Sequence, residues 1–333
     1  MKAQVLRGPS DLALGEIATP TSAGGQVVVR ITHSGICGTD WKIFNGSIPV
    51  KYPRVMGHEM AGEVVHAGAS TQVRVGDRVI IDPETYCGQC FHCNIGQTHL
   101  CPNGTLIGRD QNGGFAEYLA VPPSQAFRLP ASMDVRVAPM IQVLTTCLHA
   151  QRQVEIFPGD SVVVLGLGVT GQLHVQLAKA RGAKVIGVTR SAEKRALAEK
   201  LGADLTIAGG DDAVEQVRAA TNGRGPDVTI ETTGVMKQLA ESVNMTRFGG
   251  KVLMFGIYTA KEGALPFYDL YFKEVSLISA RVAKAEDYPA CVALVERGQV
   301  RLEPLISDVM PLRDRKSTRL NSSHTDISRM PSS

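Results

Sequence analysis

Four cysteines lie close together in the first third of the chain and could hold a metal ion. They follow the spacing C-x2-C-x2-C-x7-C and comprise Cys87, Cys90, Cys93 and Cys101. Four thiolates complete a tetrahedron around zinc and leave no open position, which is typical of a structural site rather than a catalytic one. The spacing differs from the usual ferredoxin runs, so an iron–sulfur cluster is the less favoured alternative. The pattern therefore predicts a structural zinc lobe over residues 87–101.

A second pair of candidate metal ligands is Cys37 and His58. A thiolate and an imidazole are good zinc ligands where the fold brings them together. Here 21 positions separate them. That distance does not show that they meet, so a small buried cysteine and a hydrogen-bonded core histidine are the alternative interpretations.

A glycine-rich turn is the best candidate for a nucleotide site. The apolar run at 162–165 is typical of a parallel strand buried on both faces, and a helical pattern follows the turn. The turn itself reads G-x-G-x-x-G, in which Gly166 permits the tight bend, Gly168 lets backbone amides approach a pyrophosphate and Gly171 lets helix and strand pack closely. The free N–H groups of the helix N-terminus favour an anion. The predicted dinucleotide-binding residues of this turn are Gly166, Gly168, Val169, Thr170 and Gly171.

The residues after the next strand bear on the choice between NAD and NADP. NAD enzymes place Asp or Glu there, about twenty residues past the glycines, to bind the ribose 2′-hydroxyl. Here the strand at 184–188 is followed by Thr189, Arg190 and Ser191, and the first carboxylate is Glu193. An arginine and a hydroxyl suit a 2′-phosphate, so NADP is favoured over NAD. A solvated loop arginine is the alternative interpretation of Arg190.

The wider pattern predicts an α/β protein with two domains. Short apolar runs at 27–31, 62–65 and 79–81 are broken by glycine and proline, which is typical of a compact β-rich domain. A helix is predicted over 134–153. Strand and helix patterns then alternate, with strands at 184–188, 227–231, 251–255 and 275–279 and a last helix at 287–297. This alternation predicts a doubly wound parallel sheet.

The overall composition is that of an ordinary globular protein. The chain has 333 residues, 44% hydrophobic and 20% charged, enough for two domains. A formal net charge of +3 gives no reason to expect nucleic acid or an anionic membrane as a partner. No apolar run approaches the roughly 18 residues of a membrane span, and the first residues lack a signal-peptide core. We expect a cytoplasmic protein with no membrane partner.

The last twenty residues, 314–333, differ in kind from the rest. The segments 314–324 and 328–333 resemble a conceptual translation of a sequencing-adapter oligonucleotide. We therefore interpret 314–333 as a non-native tail and leave it out of fold reasoning. A natural polar tail is the alternative.

Taken together, these residues resemble the zinc-dependent medium-chain alcohol and polyol dehydrogenases, such as threonine, sorbitol and glucose dehydrogenases. The resemblance covers residues 1 to about 312. Its motifs, in the expected order, are Cys37-Gly38-Thr39-Asp40, Gly57-His58-Glu59-x-x-Gly62, Gly76-Asp77-Arg78-Val79, the four-cysteine lobe and the glycine-rich turn. It implies a GroES-like β-rich catalytic domain over 1–149, a Rossmann domain over 150–283 and a return to the catalytic domain over 284–313.

The resemblance also assigns roles at a catalytic zinc. Cys37 and His58 fall on its first two ligands. The family's third ligand, usually Cys, Glu or Asp, falls here on Gln142, and in the polyol and sugar branches the Glu after the histidine, here Glu59, lies near the metal. We expect zinc to be held by Cys37, His58 and Glu59, with Gln142 bound directly or through water. Asp40 matches the carboxylate that orients the imidazole.

The implied activity is hydride transfer between a secondary alcohol, polyol or sugar and NADP(H), with two zinc ions per chain, one catalytic and one structural. Thr39 falls where the family places the hydroxyl that passes the alcohol proton, while Lys42 stands at the position of a later relay histidine. The family forms dimers and tetramers. We therefore expect a homodimer or homotetramer, with the strand at 275–279 supplying a sheet edge.

Two other functions remain open at this point. One is a zinc-independent quinone or enoyl reductase of the same fold, although its members usually lack the cysteine at position 37 and the four-cysteine lobe. The other is a non-catalytic dinucleotide-binding relative, which the departures at Gln142 and Lys42 keep open. Zinc stoichiometry separates the active enzyme from the non-catalytic relative, since an active enzyme should hold two ions per chain and an inactive relative could hold only the structural one.

Overall fold

The structure is a computed structural model that describes residues 1–313, and these form two compact units. The first unit comprises Met1–Thr145, Lys284–Glu296 and the described residues from Leu302 onward, and the second comprises Thr146–Ala283 and Arg297–Arg301. The predicted domain limits at 149 and 283 stay predictions. The proposed tail, 314–333, lies outside the described residues.

The first unit is built mainly from short antiparallel strands. Its elements, in chain order, are β1 (Lys2–Gly8), β2 (Asp11–Glu16), β3 (Val27–Gly35), α1 (Gly38–Phe44), β4 (Arg54–Val55), β5 (Glu59–His66), β6 (Arg78–Ile81), β7 (Glu84–Thr85), α2 (Phe91–Asn94), β8 (Thr105–Leu106), β9 (Tyr118–Val121), β10 (Ala126–Arg128) and the first six residues of α3 (Met140–Arg152). The largest sheet has the strand order β10-β6-β5-β3-β9, and smaller sheets join β2-β1-β4 and β7-β8. Alternate apolar side chains of the five-stranded sheet pack together as its core, namely Val27, Val29, Met60, Val64, Val79, Ile81, Leu119 and Val121.

Helix α3 begins six residues later than predicted, at Met140 instead of residue 134. Pro139 comes directly before it, and the residue ahead of a proline is kept out of the helical region by a steric clash. Residues 135–139 therefore form turns. The predicted helix was too long at this end because the apolar pattern runs through the turn.

The second unit is a parallel sheet with helices between its strands. Its elements are β11 (Ser161–Leu165), α4 (Val169–Ala180), β12 (Lys184–Val188), α5 (Ala192–Lys200), β13 (Leu205–Ile207), α6 (Ala213–Ala220), β14 (Val228–Glu231), α7 (Met236–Met245), β15 (Lys251–Met254), α8 (Phe267–Phe272) and β16 (Ser276–Ser279). All pairs are parallel, in the order β13-β12-β11-β14-β15-β16. This is the doubly wound order in which the chain reverses direction across the sheet between β11 and β14.

Strand β11 is buried on both faces of this sheet. Val162 and Val164 pack with Val175 on one face, whereas Val163 and Leu165 belong to a second apolar cluster on the other. Because side chains alternate along a strand, a strand covered on both sides needs an unbroken apolar run. The sequence 162–165 has this composition for that reason.

The last helix, α9 (Asp287–Glu296), belongs to the first unit. Its Tyr288 ring stacks on Phe127 with centroids 4.5 Å apart, and the Tyr288 hydroxyl donates to Asp82 at 3.2 Å. In the second unit, β16 lies at one edge of the sheet. Within residues 1–313 no helix combines the length and the hydropathy that a bilayer crossing needs.

Candidate functional site

The first turn of α1 joins Cys37 to Asp40. Cys37 is the helix N-cap, and its sulfur accepts a hydrogen bond from the backbone N–H of Asp40, while Oδ2 of Asp40 accepts from the N–H of Cys37 at 2.9 Å. The other oxygen of Asp40 accepts from the N–H of Gly57 at 3.2 Å and lies 3.4 Å from Nδ1 of His58. The Asp40 side chain is buried. Its carboxylate can therefore hold the imidazole of His58 in one orientation.

His58 and Glu59 lie where β5 begins, and both are buried. One ligand atom from each of Cys37, His58 and Glu59 lies within 4.8 Å of the others. Gly35 is the strand partner of Glu59, and a Cβ at that position would overlap Oε2 of Glu59. The absence of a side chain at Gly35 thus makes room for the carboxylate. A sulfur, a nitrogen and an oxygen donor this close together fit a zinc ion.

The electrostatics of this cluster favour positive charge. Burial lowers the pKa of His58, but the negative charges of Asp40 and Cys37 raise it, and the net pKa lies well above the usual value for histidine. The first unit therefore brings acidic side chains and a thiol together at a largely buried histidine, which is the environment that a divalent cation prefers.

Thr39 and Gln142 are the other residues that the sequence assigns to this site. Thr39 is the second residue of α1 and is half-buried. Gln142 is the third residue of α3 and is buried, and its backbone carbonyl accepts from the hydroxyl of Thr145 at 2.6 Å. The part that either side chain takes at the metal stays a prediction.

The four lobe cysteines form a second cluster. The sulfur atoms of Cys87, Cys90, Cys93 and Cys101 all lie within 4.8 Å of one another. Sγ of Cys101 is 3.6 Å from that of Cys87 and 3.8 Å from that of Cys90. The backbone N–H of Gln89 lowers the pKa of Cys87 to about 6, whereas burial raises the pKa of Cys93 to about 12. One thiolate is therefore available at neutral pH, and the set fits tetrahedral zinc.

The glycine-rich turn has the form that a phosphate site needs. Gly166 directly follows β11 and has a φ of +91°, in the left-handed region that glycine adopts readily. A Cβ on Gly171 would overlap the carbonyl oxygen of Gly166, so the helix can approach the strand only without a side chain there. Helix α4 begins at Val169 and is N-capped by Gly168, with no side-chain cap among the described residues. The first N–H groups around Val169 and Thr170 thus remain free for a ligand.

The loop that joins β12 to α5 contains the predicted cofactor-selecting residues. Arg190 is exposed, and the hydroxyl oxygen of Ser191 accepts from the N–H of Lys194 at 3.3 Å, which leaves its hydrogen free to donate. Arg195 donates from Nη1 to the carbonyls of Thr189 at 2.8 Å and Arg190 at 3.0 Å. Arg195 therefore fixes the backbone that presents Arg190.

Sequence reasoning missed the roles of Gly35 and Arg195. Arg195 lies four positions after Ser191, and on a helix that spacing could have indicated a side chain folding back over the loop. Gly35 gave no comparable signal, because its pairing with Glu59 depends on strand register.

Family models match both units of the chain. A family model described as a zinc-binding dehydrogenase matches residues 169–297, and one described as an alcohol dehydrogenase GroES-like domain matches residues 23–131. The chain belongs to the zinc-dependent medium-chain alcohol and polyol dehydrogenases. The predicted family and fold class are confirmed, with a GroES-like domain and a Rossmann-type parallel sheet.

Individual relatives are similar along most of their length. The 2-dehydro-3-deoxy-L-galactonate 5-dehydrogenase of Pseudoalteromonas atlantica is 31% identical, over 87% of this chain and 86% of the relative. Sorbitol dehydrogenase of Halalkalibacterium halodurans is 32% identical, over 90% and 89%. A crystal structure of a zinc-binding dehydrogenase from Sinorhizobium meliloti, bound to NADP, is 34% identical with a TM-score of 0.87, over 92% of this chain and 91% of that one. The chain is therefore an alcohol or polyol dehydrogenase.

Proposed function

We propose that this dehydrogenase is zinc-dependent and moves hydride between a secondary alcohol, polyol or sugar and NADP(H). The observation that carries the proposal is that Cys37, His58 and Glu59 bring one ligand atom each within 4.8 Å of the others, with His58 and Glu59 buried and Cys37 half-buried. That convergence speaks against the zinc-independent reductase alternative, which has no use for three such ligands. Two relatives support the substrate class, since they are named for a sugar acid and a polyol.

The proposed roles of the side chains follow from their chemistry. Zinc held by Cys37, His58 and Glu59 supplies a Lewis acid for the substrate oxygen, and bound nicotinamide supplies the hydride carrier. Asp40 orients His58. Oxidation of an alcohol also releases one proton, which the Thr39 hydroxyl relays: its oxygen accepts that proton while its own hydrogen is passed on.

The proton then has to leave Thr39. The relay position that holds histidine in many relatives is Lys42 here. A lysine ammonium has no lone pair with which to accept a proton. We therefore propose that the proton passes from Thr39 to solvent without a side-chain relay at position 42.

The preference for NADP rests on the loop after β12. Arg190 supplies a guanidinium for a 2′-phosphate, Ser191 a hydroxyl donor, and Arg195 holds the loop backbone through two carbonyls. The nucleotide-bound relative from Sinorhizobium meliloti carries NADP. We propose NADP as the preferred cofactor, two zinc ions per chain, a cytoplasmic location and a homodimer or homotetramer joined through the edge strand β16.

The test is initial-rate measurement with NADP and with NAD across a panel of polyols, sugar acids, aldoses, threonine and simple secondary alcohols. The proposal predicts turnover of a polyol, sugar or sugar acid with a higher kcat/KM for NADP. A higher kcat/KM for NAD would overturn the cofactor assignment alone. Protein that binds dinucleotide and oxidises none of these alcohols would overturn the proposed function.

A further inference from the structure

A buried carboxylate lies where three loops of the second unit meet. Glu231 is the last residue of β14, with 0% of its surface exposed. Its Oε1 accepts from the hydroxyl of Thr233 and from the backbone N–H groups of Thr233 at 2.7 Å and Gly234 at 3.2 Å. Its Oε2 accepts from the hydroxyl of Tyr258 at 2.5 Å. A buried charge held by this many donors is strongly committed to one position.

The donors come from two different loops. Thr233 and Gly234 follow β14, whereas Tyr258 follows β15, so Glu231 connects the two chain segments. Backbone packing between them is close, because a Cβ on Gly256 would overlap the nitrogen of Gly234, and one on Gly234 would lie 2.6 Å from the carbonyl oxygen of Ile257. The Tyr258–Glu231 contact therefore adds to the backbone bonds that Phe255 and Gly256 donate to the carbonyl of Glu231, both 2.9 Å, in holding the two loops together.

A third loop is joined to the same point. Thr232 donates from its hydroxyl to the carbonyls of Leu165 at 3.0 Å and Gly166 at 2.9 Å. Gly166 is the first glycine of the dinucleotide turn. The residue beside Glu231 is therefore bonded directly to the loop that the phosphates approach.

The ring of Tyr258 is anchored as well as its hydroxyl. It packs against the apolar cluster that includes Leu239, Val243 and Val252, together with Met236. Burial, and then the Glu231 carboxylate, raise the pKa of the Tyr258 phenol, so the hydroxyl keeps its proton and remains a donor. Tyr258 is therefore held at both ends, with its ring against an apolar cluster and its hydroxyl on a buried carboxylate.

The position of the Tyr258–Glu231 contact in the sheet places it beside one half of the cofactor. In a doubly wound sheet, a carboxylate after the second strand reads the adenosine ribose, so the strands on that side serve the adenosine half. Strands β14 and β15 lie on the opposite side of the reversal between β11 and β14. Their loops therefore border the nicotinamide half.

We propose that Tyr258 and Glu231 are positioning residues that lock together the two loops bordering the nicotinamide half of the dinucleotide. The inference rests on the proposed function, because it takes the ligand to be NADP(H) or NAD(H). The proposed effect concerns only the nicotinamide end of that ligand. Breaking the lock weakens binding of the nicotinamide half and leaves the adenosine half unaffected.

The experiment compares Tyr258→Phe with the wild-type chain by calorimetric titration of the metal-loaded protein. The probes are NADPH and 2′,5′-ADP, which contains only the adenosine half with its 2′-phosphate. If the wild type prefers NADH, the pair is NADH and ADP. We expect Tyr258→Phe to weaken dinucleotide binding roughly tenfold, or about 1.4 kcal/mol, and to leave the affinity for the adenosine fragment unchanged. The matched control is Tyr271→Phe, on an α8 tyrosine that is 77% exposed, which should change neither affinity.

Two further measurements separate positioning from general destabilisation. Hydrogen exchange of the ligand-free protein should become faster at 231–235 and 254–258 in Tyr258→Phe, with 161–171 unchanged. Glu231→Gln should act in the same direction, and the double variant should lose less than the sum of the single effects, because both changes weaken the same Tyr258–Glu231 contact.

The outcomes are distinguishable. Equal binding of dinucleotide by Tyr258→Phe and wild type would overturn the lock, as would equal weakening of dinucleotide and adenosine fragment. A wild-type chain that binds the adenosine fragment and the dinucleotide with no gain from the nicotinamide half would also overturn it. A wild-type chain that binds no dinucleotide would instead overturn the proposed function.

Discussion

Replacing Gly35 with alanine tests whether the Glu59 carboxylate is a metal ligand without altering any ligand. Gly35 pairs with Glu59 across β3 and β5. An added Cβ would overlap Oε2 of Glu59 and lie 3.1 Å from its Cβ and its Cδ. The φ angle of Gly35 is outside the left-handed region, so alanine is compatible with the backbone, and the carboxylate has to move instead.

The size of the effect follows from what a displaced ligand costs. Disturbing the groups that orient a zinc ligand typically lowers metal affinity 10–100-fold, which corresponds to about 1.4–2.7 kcal/mol. We expect Gly35→Ala to weaken zinc binding at the Cys37 site by this factor. The lobe of Cys87, Cys90, Cys93 and Cys101 does not involve Gly35, so one zinc ion per chain should remain tightly bound.

The assay is competitive titration of zinc against a chromophoric chelator, with metal content measured after gel filtration. The matched control is Gly8→Ala, because a Cβ at Gly8 meets no atom within 4 Å. Gly8→Ala should keep two ions per chain. Wild-type zinc affinity in Gly35→Ala, together with wild-type turnover, would refute the assignment of Glu59 to the metal.

Three other predictions follow from individual side chains. Desolvation by burial raises the pKa of Asp82 from 3.8 to about 7, so its contribution to stability is fully present below pH 3.8 and is lost as the pH rises through 7. The free energy of unfolding, measured by urea denaturation, should therefore fall more for the wild type than for Asp82→Asn as the pH rises from 4 to 8, by up to about 4 kcal/mol. Parallel curves of unfolding free energy against pH for the two proteins would contradict this. Arg190→Ala should raise KM for NADP by roughly tenfold or more and leave KM for NAD unchanged, since it removes a charge-assisted contact to the 2′-phosphate alone, and an equal rise for both cofactors would argue against that contact. Cys101→Ser should reduce zinc content from two ions to one and lower the melting temperature, because the lobe has lost a ligand, and an unchanged zinc content would exclude a four-cysteine site.

Local patterns made the fold and the clusters predictable where the chemistry is close in sequence. The four lobe cysteines span 87–101, and the dinucleotide turn joins a strand to a helix within a few residues, so spacing alone carries their geometry. Strand β11 was equally predictable from the sequence, because burial on both faces demands an unbroken apolar run. The predicted start of α3, residue 134, was wrong because the apolar pattern of the helix extends back across Pro139 into residues that form turns.

Contacts between distant residues were not predictable from the sequence. The approach of Cys37 to Glu59 depends on the register of β3 against β5, which a single sequence does not specify. The same limit applies to the bond between Tyr258 and Glu231, which joins the ends of two parallel strands. Family resemblance suggested the proposed roles of Cys37, His58 and Glu59, and the structure showed the glycine, Gly35, that makes room for the Glu59 carboxylate.

We propose that zinc at Cys37, His58 and Glu59 is required for hydride transfer. The most direct measurement is turnover of the best substrate from the alcohol panel before and after treatment with a strong chelator, followed by addition of zinc. Dinucleotide binding and the circular dichroism spectrum are monitored in the same samples. We expect turnover to be lost with one zinc ion per chain still bound, and to return when the second ion is restored. Full turnover in folded, dinucleotide-binding protein that has lost the zinc at Cys37 would contradict it.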